Sequence, residues 1–170
     1  MNLFENILLD IKNNKNTKGR LIVVSFTIVS FFRTRAKNKF ILFLIAPIIL
    51  FYKFITDFLL GCEIPASTKI GTGLVIHHGR CLVLNKNVVL GKNVTLKHNT
   101  TLGNKESLNG DDLGSPILKD NVIVGPNSVV LGPIIVGKNA IIGAGSVVVK
   151  SVEDDSIVAG NPAKLIKKIK

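Results

Sequence analysis

Leu118-Lys119-Asp120-Asn121-Val122-Ile123-Val124-Gly125-Pro126-Asn127-Ser128-Val129-Val130-Leu131-Gly132-Pro133-Ile134-Ile135-Val136-Gly137-Lys138-Asn139-Ala140-Ile141-Ile142-Gly143-Ala144-Gly145-Ser146-Val147-Val148 repeats itself every six residues. Its anchors are Leu118, Val124, Val130, Val136, Ile142 and Val148. Working back from it, aliphatic residues fall at 84, 90, 96 and 102, and before those at 64, 70 and 76, making thirteen anchors that are all Ile, Leu or Val. Six are followed directly by Gly: residues 71, 91, 103, 125, 137 and 143. Three places after the anchor stand Gly73, Gly79, Asn87, Asn93, Asn99, Asn121, Asn127, Asn139 and Gly145. Asn and Gly tolerate a positive φ, so a sharp corner is expected every six residues. The next place is usually Ala, Ser, Thr or Val, small enough to share an interior with the anchor. Such short strands cannot make a hairpin sheet, which needs long alternation and tight two-residue turns. They predict a triangular prism whose faces are parallel sheets with the anchors stacked inside.

The period breaks twice. From Ile76 to Leu84 the spacing is eight, with the surplus inside His77-His78-Gly79-Arg80-Cys81, and from Leu102 to Leu118 it is sixteen, so residues 104–116 leave the coil as a loop. Insertions in a repeating coil are where function is placed, because the regular rungs already satisfy the core.

These residues resemble the hexapeptide-repeat transferases. The resemblance covers residues 62–170 and implies a mainly β fold: a left-handed parallel β-helix, about eighteen residues to a coil, preceded here by an α-helical N-terminal segment. The expected organisation is a hydrophobic, basic helical region over 1–60 and an acyltransferase domain over 61–170. That domain carries the loop 104–116 and a closing segment 153–170 containing Ala159-Gly160-Asn161-Pro162-Ala163-Lys164. Thirteen hexads then make slightly more than four coils. Both breaks are similar to those of the serine acetyltransferase branch, where an acidic residue lies fifteen positions before a histidine; Glu63 and His78 have that spacing here. The resemblance implies that His78 is the general base that takes a proton from an acceptor hydroxyl as it attacks the thioester of acetyl-CoA, with Glu63 orienting the imidazole.

Two departures bear on the acceptor. His77 stands where that branch has its serine-binding Asp, and Gly114-Ser115 stand where its loop has an Arg-His pair, so the fork that would grip the carboxylate of serine is missing. The Ile76-His77-His78-Gly79 motif and the apolar, basic start resemble the O-acetyltransferases of bacterial capsule and exopolysaccharide synthesis of the colanic acid type. A sugar hydroxyl, on a glycan or a lipid-linked glycan, is the implied acceptor, with His77, His98 and Ser115 as its contacts. For the donor the matching positions are Gly103, Asn104, Ala144, Asn161 and Lys164. Because that groove lies between neighbouring chains in the family, a homotrimer is implied. L-serine as acceptor, and a metal-binding trimer like the β-helical carbonic anhydrases, are the alternatives. His98 follows its anchor by two, as His78 does, and should stack on it about 4.8 Å away between backbones. The metal reading lacks H-x-x-x-x-H, and His77 and His78 are expected on opposite sides of a strand, so no metal site is assigned.

The chain has 170 residues, 22 Lys+Arg and 11 Asp+Glu, and its aliphatic richness excludes a disordered protein. Two cysteines exclude a disulfide scaffold and a four-cysteine zinc site. No phosphate-loop or dinucleotide fingerprint occurs, and no groove-reading motif supports nucleic acid as a partner. The first residues lack the pattern of a secretory leader, which predicts a cytoplasmic protein. Residues 1–60 hold nine Lys/Arg against three Asp/Glu, with apolar runs Leu21 to Phe32 and Phe40 to Tyr52. Each run is too short to span a bilayer. Two readings fit: helices lying at the inner face of the cytoplasmic membrane, or helices buried against the protein or its oligomer.

Overall fold

The computed structural model describes residues 2–36 and 38–169; Lys37, part of the basic stretch between the apolar runs, lies outside them with both terminal residues. Three parallel sheets form the sides of a prism. The first face stacks Cys62–Glu63, Leu82–Leu84, Thr101–Gly103, Val129–Leu131 and Val147–Val148. The second stacks Lys69–Ile70, Val89–Leu90, Ile117–Leu118 and Ile135–Val136. The third stacks Val75–His77, Thr95–Lys97, Ile123–Val124, Ile141–Ile142 and Ser156–Gly160, closed by the antiparallel Ala163–Lys168.

Register follows the anchors. Leu84 pairs with Leu102 and Val130 with both Leu102 and Val148. Leu118 lies between Leu90 and Val136, and Val124 between Leu96 and Ile142. Leu96, Leu102, Leu118, Val124 and Val130 are wholly buried. Burying a Leu or Val side chain contributes about 1.5–3 kcal/mol, so the stacked anchors supply most of the drive to coil.

The column is longer than the sequence count, about five turns, because two further rungs follow Val148. Val152 bridges to Val136 and Val158 pairs with Ile142. A four-residue step from Val148 to Val152 breaks phase and hides them from a six-residue count, yet both are buried and Asp155 makes the usual corner at φ 53.

The corners are left-handed at Gly73, Asn93, Asn99, Asn121, Asn127, Asn139 and Gly145. Asn87 does not adopt this conformation, and at the first break His78 (φ 58) takes it instead of Gly79. Gly79 serves a different end: a Cβ there would overlap Ile22 of the helical region. Up the second-to-third corner the Asn amides form a ladder, Asn93 to Asn121 (3.2 Å), Asn121 to Asn139 (2.9 Å) and Asn139 to Asp155 (2.7 Å).

Three helices close the N-terminal end: α1 (Leu3–Asn13), α2 (Thr17–Arg35) and α3 (Lys39–Lys53), the last running into a π-helical turn, Phe54–Leu59. Asn side chains at residues 2, 16 and 38 cap the three starts. From α2, Ile22, Val23, Phe26 and Val29 are buried. Between α1 and α2, Asn14 does the work of a missing strand: its Nδ2 donates to the Leu74 carbonyl (2.9 Å) and its Oδ1 accepts from the Ile76 N–H (2.9 Å). Asn16 Nδ2 donates to the Ile76 carbonyl (2.8 Å), and the Tyr52 hydroxyl of α3 donates to the Ile64 carbonyl (2.7 Å). An open sheet end is thereby sealed with polar groups matched to its unpaired backbone.

Candidate functional site

The first phase break makes a bulged corner between the third and first faces. His77 pairs with Lys97, twenty residues on, while Val83 pairs with Thr101, eighteen on; residues 78–82 therefore occupy the length that 98–100 occupy one rung later. Two left-handed residues, His78 and Cys81 (φ 53), accommodate the surplus. For residues other than Gly this conformation costs on the order of 1–3 kcal/mol and persists only where the surroundings enforce it, which marks functional positions. Gly79, pinned under Ile22, and the Asn99 N–H donating to the Arg80 carbonyl (2.9 Å) hold the bulge.

His78 is exposed, and its ring meets that of His98 edge to face, centroids 5.8 Å apart. His98 is half-buried and its Nδ1 is enclosed without a hydrogen-bond partner. His77 ends its strand and is exposed as well. His78 sits in the turn and not on the strand, so the side-to-side alternation of a strand does not govern the pair. Glu63 lies one rung lower on the first face, in register with Val83, and is exposed. Among the described residues no hydrogen bond or ion pair joins Glu63 to His78.

Ala144 occupies the same corner near the top of the prism, two places after its anchor Ile142, as His78 and His98 are after theirs. The closing hairpin rests above it: Ile142 pairs with Val158, and Gly143 abuts Ala159. Asn161 and Lys164 are exposed in that hairpin, and Lys164 pairs with Ala159. One edge of the prism thus carries His78, His98, Ala144 and the hairpin.

Gly103, Asn104 and Ser115 lie on a different edge, where the first face turns into the second. Here the inserted residues fold as an antiparallel hairpin, Lys105–Glu106 against Asp112–Gly114. Asn85, which sequence reasoning missed, ties it down: it accepts from the Ser115 hydroxyl (3.1 Å) and donates to Asn104 Oδ1 (3.2 Å). Asn104 Nδ2 donates to Asp112 Oδ1 (3.2 Å), and Asn87 Nδ2 to Asp112 Oδ2 (3.2 Å). Three N–H donors, from Gly114, Asn104 and Asn87, hold the Asp112 carboxyl below the usual carboxylate range. The signal for Asn85 was available, since Asn replaces the Gly that commonly follows an anchor. Beside the hairpin a cleft of about 550 Å³ opens, lined by Asn104, Lys105, Glu106, Leu113, Leu131, Gly132, Pro133, Ile134 and Val149. An apolar slot with a few polar groups at its mouth suits a flexible, mostly uncharged chain. The strand Thr101–Gly103 of the first face lies between the histidine corner and the edge that carries the cleft, so the two stand on different edges of one chain.

Residues 115–150 match the family model described as bacterial transferase hexapeptide (six repeats). A curated Escherichia coli K12 protein, "Putative colanic acid biosynthesis acetyltransferase WcaB", is 38% identical over 120 residues, covering 71% of this chain and 72% of that one. The serine acetyltransferase of Buchnera aphidicola is 37% identical over 108 residues, 64% of this chain but 41% of its own length. The structure of soybean serine acetyltransferase complexed with serine superposes with a TM-score of 0.77 at 26% identity, over 96% of this chain and 69% of that one. The prism is accordingly a left-handed parallel β-helix, the fold of these acetyltransferases.

Proposed function

The chain belongs to the hexapeptide-repeat acetyltransferases, and we propose that it transfers the acetyl group of acetyl-CoA to a sugar hydroxyl in the making of a bacterial capsule or exopolysaccharide, with His78 as general base. The observation that carries this reading is the bulged corner: a histidine in a left-handed turn, exposed, with a second imidazole at its edge whose Nδ1 lacks a partner.

Acetyl-CoA supplies an activated thioester. An alcohol is a weak nucleophile at neutral pH, so His78 accepts its proton as the oxygen attacks the acyl carbon. The new C–O bond forms, the C–S bond breaks, and the proton passes from His78 to the departing thiolate. Glu63, one rung below, steadies the imidazolium once the acceptor has displaced water from the corner. The part-exposed ring of His98, edge to face with His78, offers the acceptor a second contact, and His77 lies at the rim of the same corner. Asn104 lines the cleft that suits the pantetheine arm, and Gly103 supports it by pairing with Leu131 of its wall. Ser115 acts by fixing the hairpin, while Ala144, Asn161 and Lys164 flank the route of the donor along the histidine edge. A neighbouring copy that lays its cleft against that edge completes the site, which is the case for a homotrimer. Cytoplasmic placement follows from the donor.

For the acceptor, the support is the similarity to WcaB over most of both chains, together with Gly114-Ser115 in place of a carboxylate-gripping pair. Incubation with labelled acetyl-CoA and a panel of L-serine, free sugars and lipid-linked glycans tests it. Label in a glycan, lost with His78→Ala, is expected; label in serine alone replaces this reading with serine O-acetylation.

A further inference from the structure

The helix α3 turns its apolar side outward. With the π-helical turn it makes a stretch, Lys39–Leu59, of 21 residues that is long and apolar enough to cross a membrane by length and composition, yet little of it is covered by the rest of the chain. Phe40, Leu44, Ile48, Phe51, Phe54 and Phe58 recur at three- and four-residue spacing and, with Phe43 beside them, form one exposed stripe in which Phe43 is 75% and Phe58 78% accessible. On a helix bathed by water that side would be polar. The side facing the prism holds the buried Tyr52 and Thr56.

We infer that this stripe lies flat on an anionic lipid surface, so that the protein is a peripheral membrane protein docked through α3. Two observations select a surface contact over a span. The Tyr52 hydroxyl is bonded to the Ile64 carbonyl of the first rung, so one side of α3 is fastened to the prism along its C-terminal half. Lys53 and Asp57, paired at 4.0 Å, would lie inside the hydrocarbon in a span but at its edge in a flat helix. Charge selects lipid over a second copy of the chain. Arg33, Arg35 and Lys39 cluster where α2 passes into α3, and among the described residues none has a carboxylate partner. Residues 1–60 carry nine Lys/Arg and three Asp/Glu, so a self-contact would press like charges together, whereas anionic headgroups complement them. Apolar side chains and cations together supply the two signals that stable peripheral binding requires.

The test is co-sedimentation of the full chain with vesicles of phosphatidylcholine alone or mixed with phosphatidylglycerol, alongside sedimentation equilibrium without lipid. The wild type is expected to bind the mixed vesicles and release in high salt. The double variant Phe43→Asp, Phe58→Asp should lose binding at least tenfold, and the triple variant Arg33→Gln, Arg35→Gln, Lys39→Gln roughly 100-fold at low salt. Phe43, Phe58, Arg35 and Lys39 are exposed and Arg33 is half-buried, and far-UV circular dichroism checks that both variants fold. Absence of binding to the mixed vesicles, equal binding to both vesicle types, or a fall in oligomer mass in the Phe variants without a change in lipid binding overturns the inference. Acetyl transfer to a soluble acceptor is not part of the readout, so failure here leaves the proposed reaction standing.

Discussion

The imidazoles of His78 and His98 stand edge to face at an interplanar angle of 80°, centroids 5.8 Å apart, on successive rungs of one corner. Removing each should therefore have a different kinetic signature. His78→Ala is expected to lower kcat by roughly 100-fold or more with little change in KM for acetyl-CoA, because proton removal belongs to the transition state. On the proposed role of His98 as an acceptor contact, His98→Ala should mainly raise the KM for the acceptor. Steady-state kinetics with each substrate varied in turn separates the two; equal losses from both variants in every parameter contradict the roles.

Asn14 replaces a strand at the open edge of the third face. Asn14→Leu keeps the branched shape but strands the Leu74 carbonyl and the Ile76 N–H in a buried place, at about 1–3 kcal/mol for each group. A drop of about 3 kcal/mol in unfolding free energy, read as a lower urea midpoint at unchanged slope, is expected.

Asp10 is buried in α1 with only the Thr27 hydroxyl donating to it (2.6 Å), and burial pushes its carboxyl from 3.8 up to about 6. The native state holds this proton more tightly than the unfolded chain does. Its contribution is therefore complete below about pH 4 and is lost as pH rises through about 6. Asp10→Asn keeps the acceptor for Thr27 and should raise stability at pH 7.5 by about 2 kcal/mol, with the advantage over wild type shrinking as pH falls toward 4. Thermal melts of both proteins across that range give the difference; a gain that grows toward low pH would contradict the assignment.

Asn121 sits in the middle of the amide ladder at φ 60. Asn121→Ala loses both the ladder bonds and the tolerance for this conformation, an expected cost of about 1–2 kcal/mol, whereas Asn121→Gly should cost less because the corner stays unstrained. Denaturant titration of the pair distinguishes corner strain from hydrogen bonding, since the second variant loses only the latter.

Much of the prism was legible because each anchor sits six residues from the next and the structure keeps that phase from Leu118 to Val148. Where the phase slipped, reading failed: Val152 and Val158 were missed though both are buried. The breaks pointed to the bulged corner and the hairpin, but not to how either is held. Gly79 reads as a corner residue and is in fact a point of close approach to Ile22, leaving His78 to take the left-handed turn. Asn85 stands where Gly follows six of the anchors, but what it holds shows only once the hairpin folds back on it.

A hexad is a local object, and its anchor, small residue and corner residue carry the coil's geometry within six positions. Sequence alone therefore determined the three-sided column, its approximate extent and the two places where it is interrupted. Folding in three dimensions decided which helix was buried and which left bare, that Asn14 would meet Leu74 and Ile76 across sixty residues, and that the hairpin of Lys105–Glu106 and Asp112–Gly114 would be tied down by Asn85. Those outcomes depend on contacts between segments with no common period, and only the packing of one surface on another selects them.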